Sequence, residues 1–313
     1  MSAADPVAPQ AATAARNTAR GAYLLLIVPP LCWAGNFVVG RAIHGEIPPV
    51  GLTFWRWAVA AAVLLPIAGA ETWRARAVIR RQWPLLTVLA LSGVVGFQFV
   101  VYQGLHSTTA INGVLIIATI PAVIPVFAYA LDGARITPRQ ALGILVSTMG
   151  VAIIVLRGDL AAALALDVAA GDLWIASAVP MWALYTVLVR RRPHALSPLA
   201  LLLAIVGIGL TVLAPAYAWE ASSVGGFAAT PAVLAAIAYV GVAASVLAFW
   251  CWNRGIAGVG ASKAGLYLHL MPVFAALLAV LFLGERLHAY HGIGMALVAT
   301  GLYLSSTAAG IRR

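Results

Sequence analysis

PAVIPVFAYALDGAR, residues Pro121–Arg135, returns 151 positions later as PVFAALLAVLFLGER, residues Pro272–Arg286. Pro121 meets Pro272, Gly133 meets Gly284 and Arg135 meets Arg286, across apolar runs that do not alternate as a strand would. The same offset carries residues 84–150 onto 235–301 without a gap. It pairs Gly104 with Gly255, Ala110 with Ala261, Gly143 with Gly294 and Gly150 with Gly301. Further upstream an offset of 149 brings Trp33-Ala34 onto Trp182-Ala183 and Arg41 onto Arg190. The chain is a tandem repeat.

Composition says where the repeat lives. Of 313 residues, 63% are hydrophobic and 9% charged, too few charges for a surface facing water. Apolar spans of roughly 20 residues, the length that crosses a bilayer, can be placed ten times. They fall near 22–43, 50–70, 83–105, 108–131 and 137–156, then 172–190, 197–218, 231–253, 258–283 and 288–308. The expected fold is an all-α membrane protein of ten transmembrane helices. Residues 1–20 form an Ala-rich polar tail expected to be disordered, residues 21–157 a first five-helix repeat, and 171–308 a second.

The net charge of +10 is distributed as topology, not as a phosphate-binding stripe, so nucleic acid is not an expected partner. With the N-terminus in the cytoplasm, fifteen Lys and Arg fall inside, and only Arg41, Arg157 and Arg286 fall outside, with Arg56 left within a span. Both termini are therefore expected in the cytoplasm, at a bacterial inner membrane. Five is odd, so the second repeat must start from the opposite side: Arg135 falls inside and Arg286 outside. Inverted repeats place a substrate site near the midplane and supply two exchangeable states.

Trp252-Asn253-Arg254-Gly255-Ile256, Ala261-Ser262-Lys263-Ala264 and Met271-Pro272-Val273-Phe274 through Leu283-Gly284-Glu285-Arg286-Leu287 closely resemble the EamA repeat of the drug/metabolite transporter superfamily. Tyr102-Gln103-Gly104-Leu105, Pro121 and Gly133 resemble it more loosely, and Phe54-Trp55-Arg56 resembles that family's arginine in the second helix. Ala134 departs from the pattern where Glu285 keeps it, and Arg56 has no counterpart in the second half. The resemblance implies ten helices and export of amino acids, of the aromatic and methionine type, or of similar metabolites.

Helical spacing nominates a lining. Trp33 and Asn36 share a face of the first helix, Trp182 and Tyr185 the matching face of the sixth. Gln98 with Tyr102, and Trp250 with Asn253, do so on the third and eighth. His269 is the ionisable group nearest mid-span, and an ionisable residue at that depth is a functional candidate. Pro121 and Pro272 are expected as paired gating hinges that remove backbone hydrogen bonds inside helices four and nine. Trp55, Trp57, Trp73, Trp83 and Trp219 read as interface belts. The glycine stripes Gly143/Gly150 and Gly294/Gly301 read as close helix packing, with a dimer interface as the second reading. Arg56 is expected to pair with backbone carbonyls or a loop acid.

The reading is an exporter of amino acids or related small metabolites, best aromatic and other apolar ones, working by alternating access without ion coupling. A proton-coupled exporter is the alternative. No HExxH, GxSxG or paired carboxylate occurs within spans, so an enzyme is not expected, and a channel stands as the third class. Neither cofactor nor metal site is implied, since Cys32 and Cys251 lie singly in apolar runs. The expected partners are a small-molecule substrate and the lipid bilayer, with the chain as a monomer.

Overall fold

The computed structural model describes residues 21–43, 45–105, 107, 108, 113, 116–156, 158, 159, 170–283 and 288–307. Residues 1–20, residues 160–169 and Glu285 and Arg286 lie outside these. Among the described residues there is no strand.

The helices are α1 (Val28–Ala42, preceded by a turn of helix from Gly21), α2 (Pro49–Arg74) and α3 (Trp83–Leu105), with the short helix Arg76–Arg81 between the last two. Then come α4 (Ile120–Asp132), α5 (Pro138–Val155), α6 (Ala170–Leu188), α7 (Pro198–Val224) and α8 (Pro231–Val259). α9 runs as Ala261–Gly265, a 3-10 turn Leu266–His269 and Leu270–Leu283, and α10 is Ala289–Thr307. Thr137-Pro138, Ser197-Pro198 and Thr230-Pro231 start α5, α7 and α8, a hydroxyl accepting from the helix N-terminus and a proline pre-setting φ in its first turn. Gly133 at φ 64° stops α4, and Gly260 at φ 88° separates α8 from α9.

Seven of these helices are long and apolar enough to cross a membrane, against the ten expected. The shortfall has local causes. α1 is broken ahead of Pro29-Pro30, α4 is described only from Ile120 with its approach partly outside the described residues, and α10 is diluted by His291, Thr300 and three hydroxyl residues at its end. Leu65, Ile67, Leu145, Val126 and Leu281 stand exposed on the outer surface, as side chains facing lipid do.

Packing is reciprocal between the halves. α1 lies against α8 and α9, while its counterpart α6 lies against α3 and α4. α2 packs on α7, and α5 on α10 along most of its length. The α5–α10 contact is made by the glycines. A Cβ on Gly143 would meet the Gly301 carbonyl at 2.7 Å, and one on Gly150 would meet the Gly294 carbonyl at 2.7 Å. Each glycine thus faces the repeat-mate of the other, which antiparallel helices about a two-fold axis require. The stripes are in-chain packing.

The α2–α7 pair is locked the same way. Glu220, at the end of α7, accepts from the Val50 and Gly51 N–H groups at the start of α2 (3.1 and 2.6 Å). Glu71, 149 positions earlier and at the end of α2, accepts from Ser197 N and Oγ at the start of α7, both at 2.8 Å. Each carboxylate satisfies amides that a helix start leaves free, in the positive field of that terminus.

Candidate functional site

The site sits where the two halves meet, and local breaks in helix geometry build it. α3 contains a π-helical stretch, Ala90–Gly96, and α8 another, Val242–Leu247, nearly one repeat offset apart. A π turn displaces carbonyls from the regular ladder and leaves them for side chains. Trp57 Nε1 donates to Val94 O (2.8 Å), and Trp33 Nε1 and Arg56 Nη2 both donate to Ala244 O (2.9 Å each). Trp57 is therefore fully buried and not an interface-belt residue, a correction to the sequence expectation: its indole is needed at a carbonyl inside the protein.

Around these anchors lies a cluster of rings. Trp33 meets Trp182 edge to face at 5.1 Å between centroids, so two residues that the repeat makes equivalent touch across the junction. Phe97, Tyr185, Phe249 and Trp252 complete it, at 4.8, 5.3, 5.5 and 5.9 Å from Trp182. Phe97, Phe249 and Trp252 were missed by the sequence reading. The signal was available on α8, where Phe249, Trp252, Asn253 and Ile256 follow helical spacing and are all buried. Trp250 lies off that face, its ring 5.5 Å from the Arg254 guanidinium, and does not join the cluster.

The polar members pair within each half. Tyr102 OH donates to Asn36 Oδ1 (3.2 Å), and Tyr185 OH donates to Asn253 Oδ1 (2.9 Å). Asn36 and Tyr185 are equivalent at an offset of 149, Tyr102 and Asn253 at 151. The repeat thus keeps a Tyr–Asn hydrogen bond between its first and third helices, with the residue types exchanged. Gln98 joins the first pair through Arg56, whose Nη1 donates to Gln98 Oε1 (3.0 Å) and Tyr102 OH (3.1 Å), while Nε donates to Ser245 Oγ (2.6 Å). The second half has no such cation. There Trp182 Nε1, Trp252 Nε1 and Asn253 Nδ2 are buried donors without a partner among the described residues.

A cavity of about 30 Å³ opens between the rings of Trp33, Trp182 and Phe97 and the amides of Asn36 and Gln98. An apolar one of about 40 Å³ adjoins it, walled by Ala34, Met271 and Pro272. Each holds a few water-sized guests at most, so the helices are closed around the site in this state. His269 faces neither cavity. Its Nδ1 is 2.8 Å from Ser147 Oγ on α5 and its Nε2 2.9 Å from the carbonyl of Ala118, its own repeat-mate. Tyr267 stacks on Tyr23 instead (6.1 Å). Pro121 lies in the first turn of α4, and Pro272 in the first turn after the 3-10 stretch of α9. Neither removes a hydrogen bond from a helix interior, contrary to expectation. Each restarts a helix just after a break, because a proline needs no N–H donor there.

An all-helical chain with many apolar helices, packed reciprocally about a closed ring-lined site, defines a polytopic membrane protein of the transporter kind. Comparison with known proteins agrees: the EamA-like transporter family matches residues 20–156 and again 169–307, and the chain belongs to that family. An uncharacterized transporter of Bacillus subtilis, YyaM, is 29% identical over 93% of this chain and 94% of its own length. The aromatic amino acid exporter YddG of Ancylobacter novellus is 24% identical over 80% of this chain and 84% of its own. A probable terminal-alkyne amino-acid exporter of Streptantibioticus cattleyicolor is 27% identical over 89% and 91%. A solved crystal structure superposes with a TM-score of 0.73 at 22% identity, covering 91% of this chain and 97% of the other, a likeness of fold.

Proposed function

We propose that the chain exports amino acids or closely related small metabolites across the inner membrane, with ten spans, two inverted five-helix halves and both termini in the cytoplasm. One observation carries the reading: a closed, ring-lined cavity with amide groups on one wall, at the junction where repeat-equivalent Trp33 and Trp182 touch. Indole faces attract an ammonium group, amides hydrogen-bond a carboxylate, and the remaining apolar wall suits an aromatic or thioether side chain. Two of the relatives are named as amino-acid exporters, which favours the same substrate class.

Transport proceeds by alternating access, because the cavity must enlarge severalfold to hold a guest of amino-acid size. The paired breaks ahead of Pro121 and Pro272 are the hinges in this scheme. The test is purified protein in liposomes loaded with unlabelled phenylalanine or methionine. Saturable counterflow of the labelled amino acid, recovered unchanged, is the expected result. Chemical conversion of the substrate, or unitary currents in a planar bilayer, would overturn the reading.

A further inference from the structure

Arg56 is a cation fully buried at membrane depth, and no carboxylate contacts it among the described residues. A buried charge must be paired or hydrogen-bonded. Here four neutral groups do the work: Ser245 Oγ, Gln98 Oε1, Tyr102 OH and Ala244 O. The charge is solvated but not cancelled.

A guanidinium donates and never accepts, so it fixes the direction of every hydrogen bond that leaves it. Gln98 must turn its oxygen toward Arg56, which leaves the NH₂ of that amide for the cavity it lines. Tyr102 accepts from Arg56 and so gives its own proton away, to Asn36 Oδ1. Asn36 lines the same cavity and is likewise left with its NH₂. The polar wall therefore offers N–H donors only, backed by an uncompensated positive charge, opposite a wall of indole and phenyl rings.

We propose that Arg56 is the positioning residue that makes this carrier demand a carboxylate. By claiming the oxygens of Gln98 and, through Tyr102, of Asn36, it sets a donor wall that takes the substrate carboxylate and rejects the amine lacking one. The inference rests on the amino-acid reading above and deepens it. The zwitterion lies with its carboxylate toward α1 and α3 and its ammonium on the rings.

The experiment uses the full chain with three matched probes: phenylalanine, phenethylamine and 3-phenylpropionate. Binding is followed by ligand-induced thermal shift, and uptake separately in liposomes. Wild type is expected to bind both carboxylates and to bind the amine at least about tenfold more weakly. Gln98→Glu is nearly isosteric, keeps an acceptor on Arg56, cancels its charge and presents an oxygen to the cavity. It should move the amine-to-carboxylate ratio by at least about tenfold toward the amine. Arg56→Gln should move the ratio the same way, and where that variant fails to fold, Gln98→Glu decides alone. An unchanged ratio in Gln98→Glu, equal binding of all three probes by wild type, or binding of none of them overturns the proposal. The expected binding order without any uptake would instead sink the transport reading and leave the carboxylate selection standing. Equal uptake of all three would do the reverse.

Discussion

Among the described residues, the buried side chains of Tyr185 and Asn253 hydrogen-bond to each other alone, which makes the pair sensitive to truncation. Asn253→Ala strands a buried hydroxyl, and thermal or chemical unfolding in detergent should report a loss of about 1–3 kcal/mol. Trp182 behaves differently, because its Nε1–H already lacks a partner. Trp182→Phe keeps ring packing and removes an unsatisfied donor, so melting should hold or rise slightly. The weaker quadrupole of the new ring should lower affinity for an amino acid a few-fold, about 0.5–1 kcal/mol. A fall in melting with unchanged uptake would make Trp182 a packing residue. Spacing alone was enough to nominate Asn36, Tyr102, Tyr185 and Asn253, since polar groups at membrane depth stand out against Leu and Ala. It did not reveal that Arg56 joins Gln98 to Tyr102, because a contact between α2 and α3 has no signature in either helix by itself.

Helix pairs show which glycines matter. Gly292 and Gly294 are two residues apart on α10, yet a Cβ on the first meets nothing within 4 Å while one on the second meets the Gly150 carbonyl at 2.7 Å. Gly292→Ala should therefore stabilise by up to about 1 kcal/mol through helix propensity. Gly294→Ala should destabilise by about 1–3 kcal/mol, because two backbones must part. Similar losses for both, measured as unfolding midpoints, would mean that α5 and α10 do not pack as described. The reciprocal caps offer a second comparison. Glu71→Gln and Glu220→Gln keep the shape but weaken acceptance at a helix start, so each should cost about 0.5–2 kcal/mol. Ends and glycine seams were readable because Ser/Thr-Pro pairs and small-residue spacing are local signals. The π stretches in α3 and α8 were not. Their apolar residues are compatible with an unbroken α-helix, and the carbonyls they free are spoken for by Trp33, Arg56 and Trp57 from other helices.

At the scale of the molecule, inversion and energy coupling each give an expected outcome. Single cysteines at Gln82 and Ser222, in a background lacking Cys32 and Cys251, should label from the cytoplasm and the periplasm respectively. Labelling of both from one face would remove the inverted topology. Coupling follows from what lies within the spans. A proton-driven carrier commonly shares an intramembrane carboxylate between proton and substrate. Here Glu71 and Glu220 cap helix starts, and Asp132 pairs with Arg191 at 2.6 Å on an exposed end of α4. Asp172, buried in the first turn of α6, accepts from Thr108 Oγ1, so His269 is the ionisable candidate nearest mid-span. Nε2–H donates to the Ala118 carbonyl, and Nδ1 lies 2.8 Å from Ser147 Oγ, whose hydroxyl also reaches the Gly143 and Ile144 carbonyls; among the described residues no anion stands against the ring. Those contacts tie α9 to α5 and to the approach of α4, so His269 is expected to act as a strut between the halves. An imposed pH gradient should then leave the final internal substrate concentration equal to the external one, in wild type and in His269→Gln alike. The substitution should lower the melting temperature, since Ala118 O and Ser147 lose a partner worth about 1 kcal/mol each. Gradient-dependent accumulation in wild type that disappears in His269→Gln would instead make this imidazole the coupling site and the protein a proton-driven exporter.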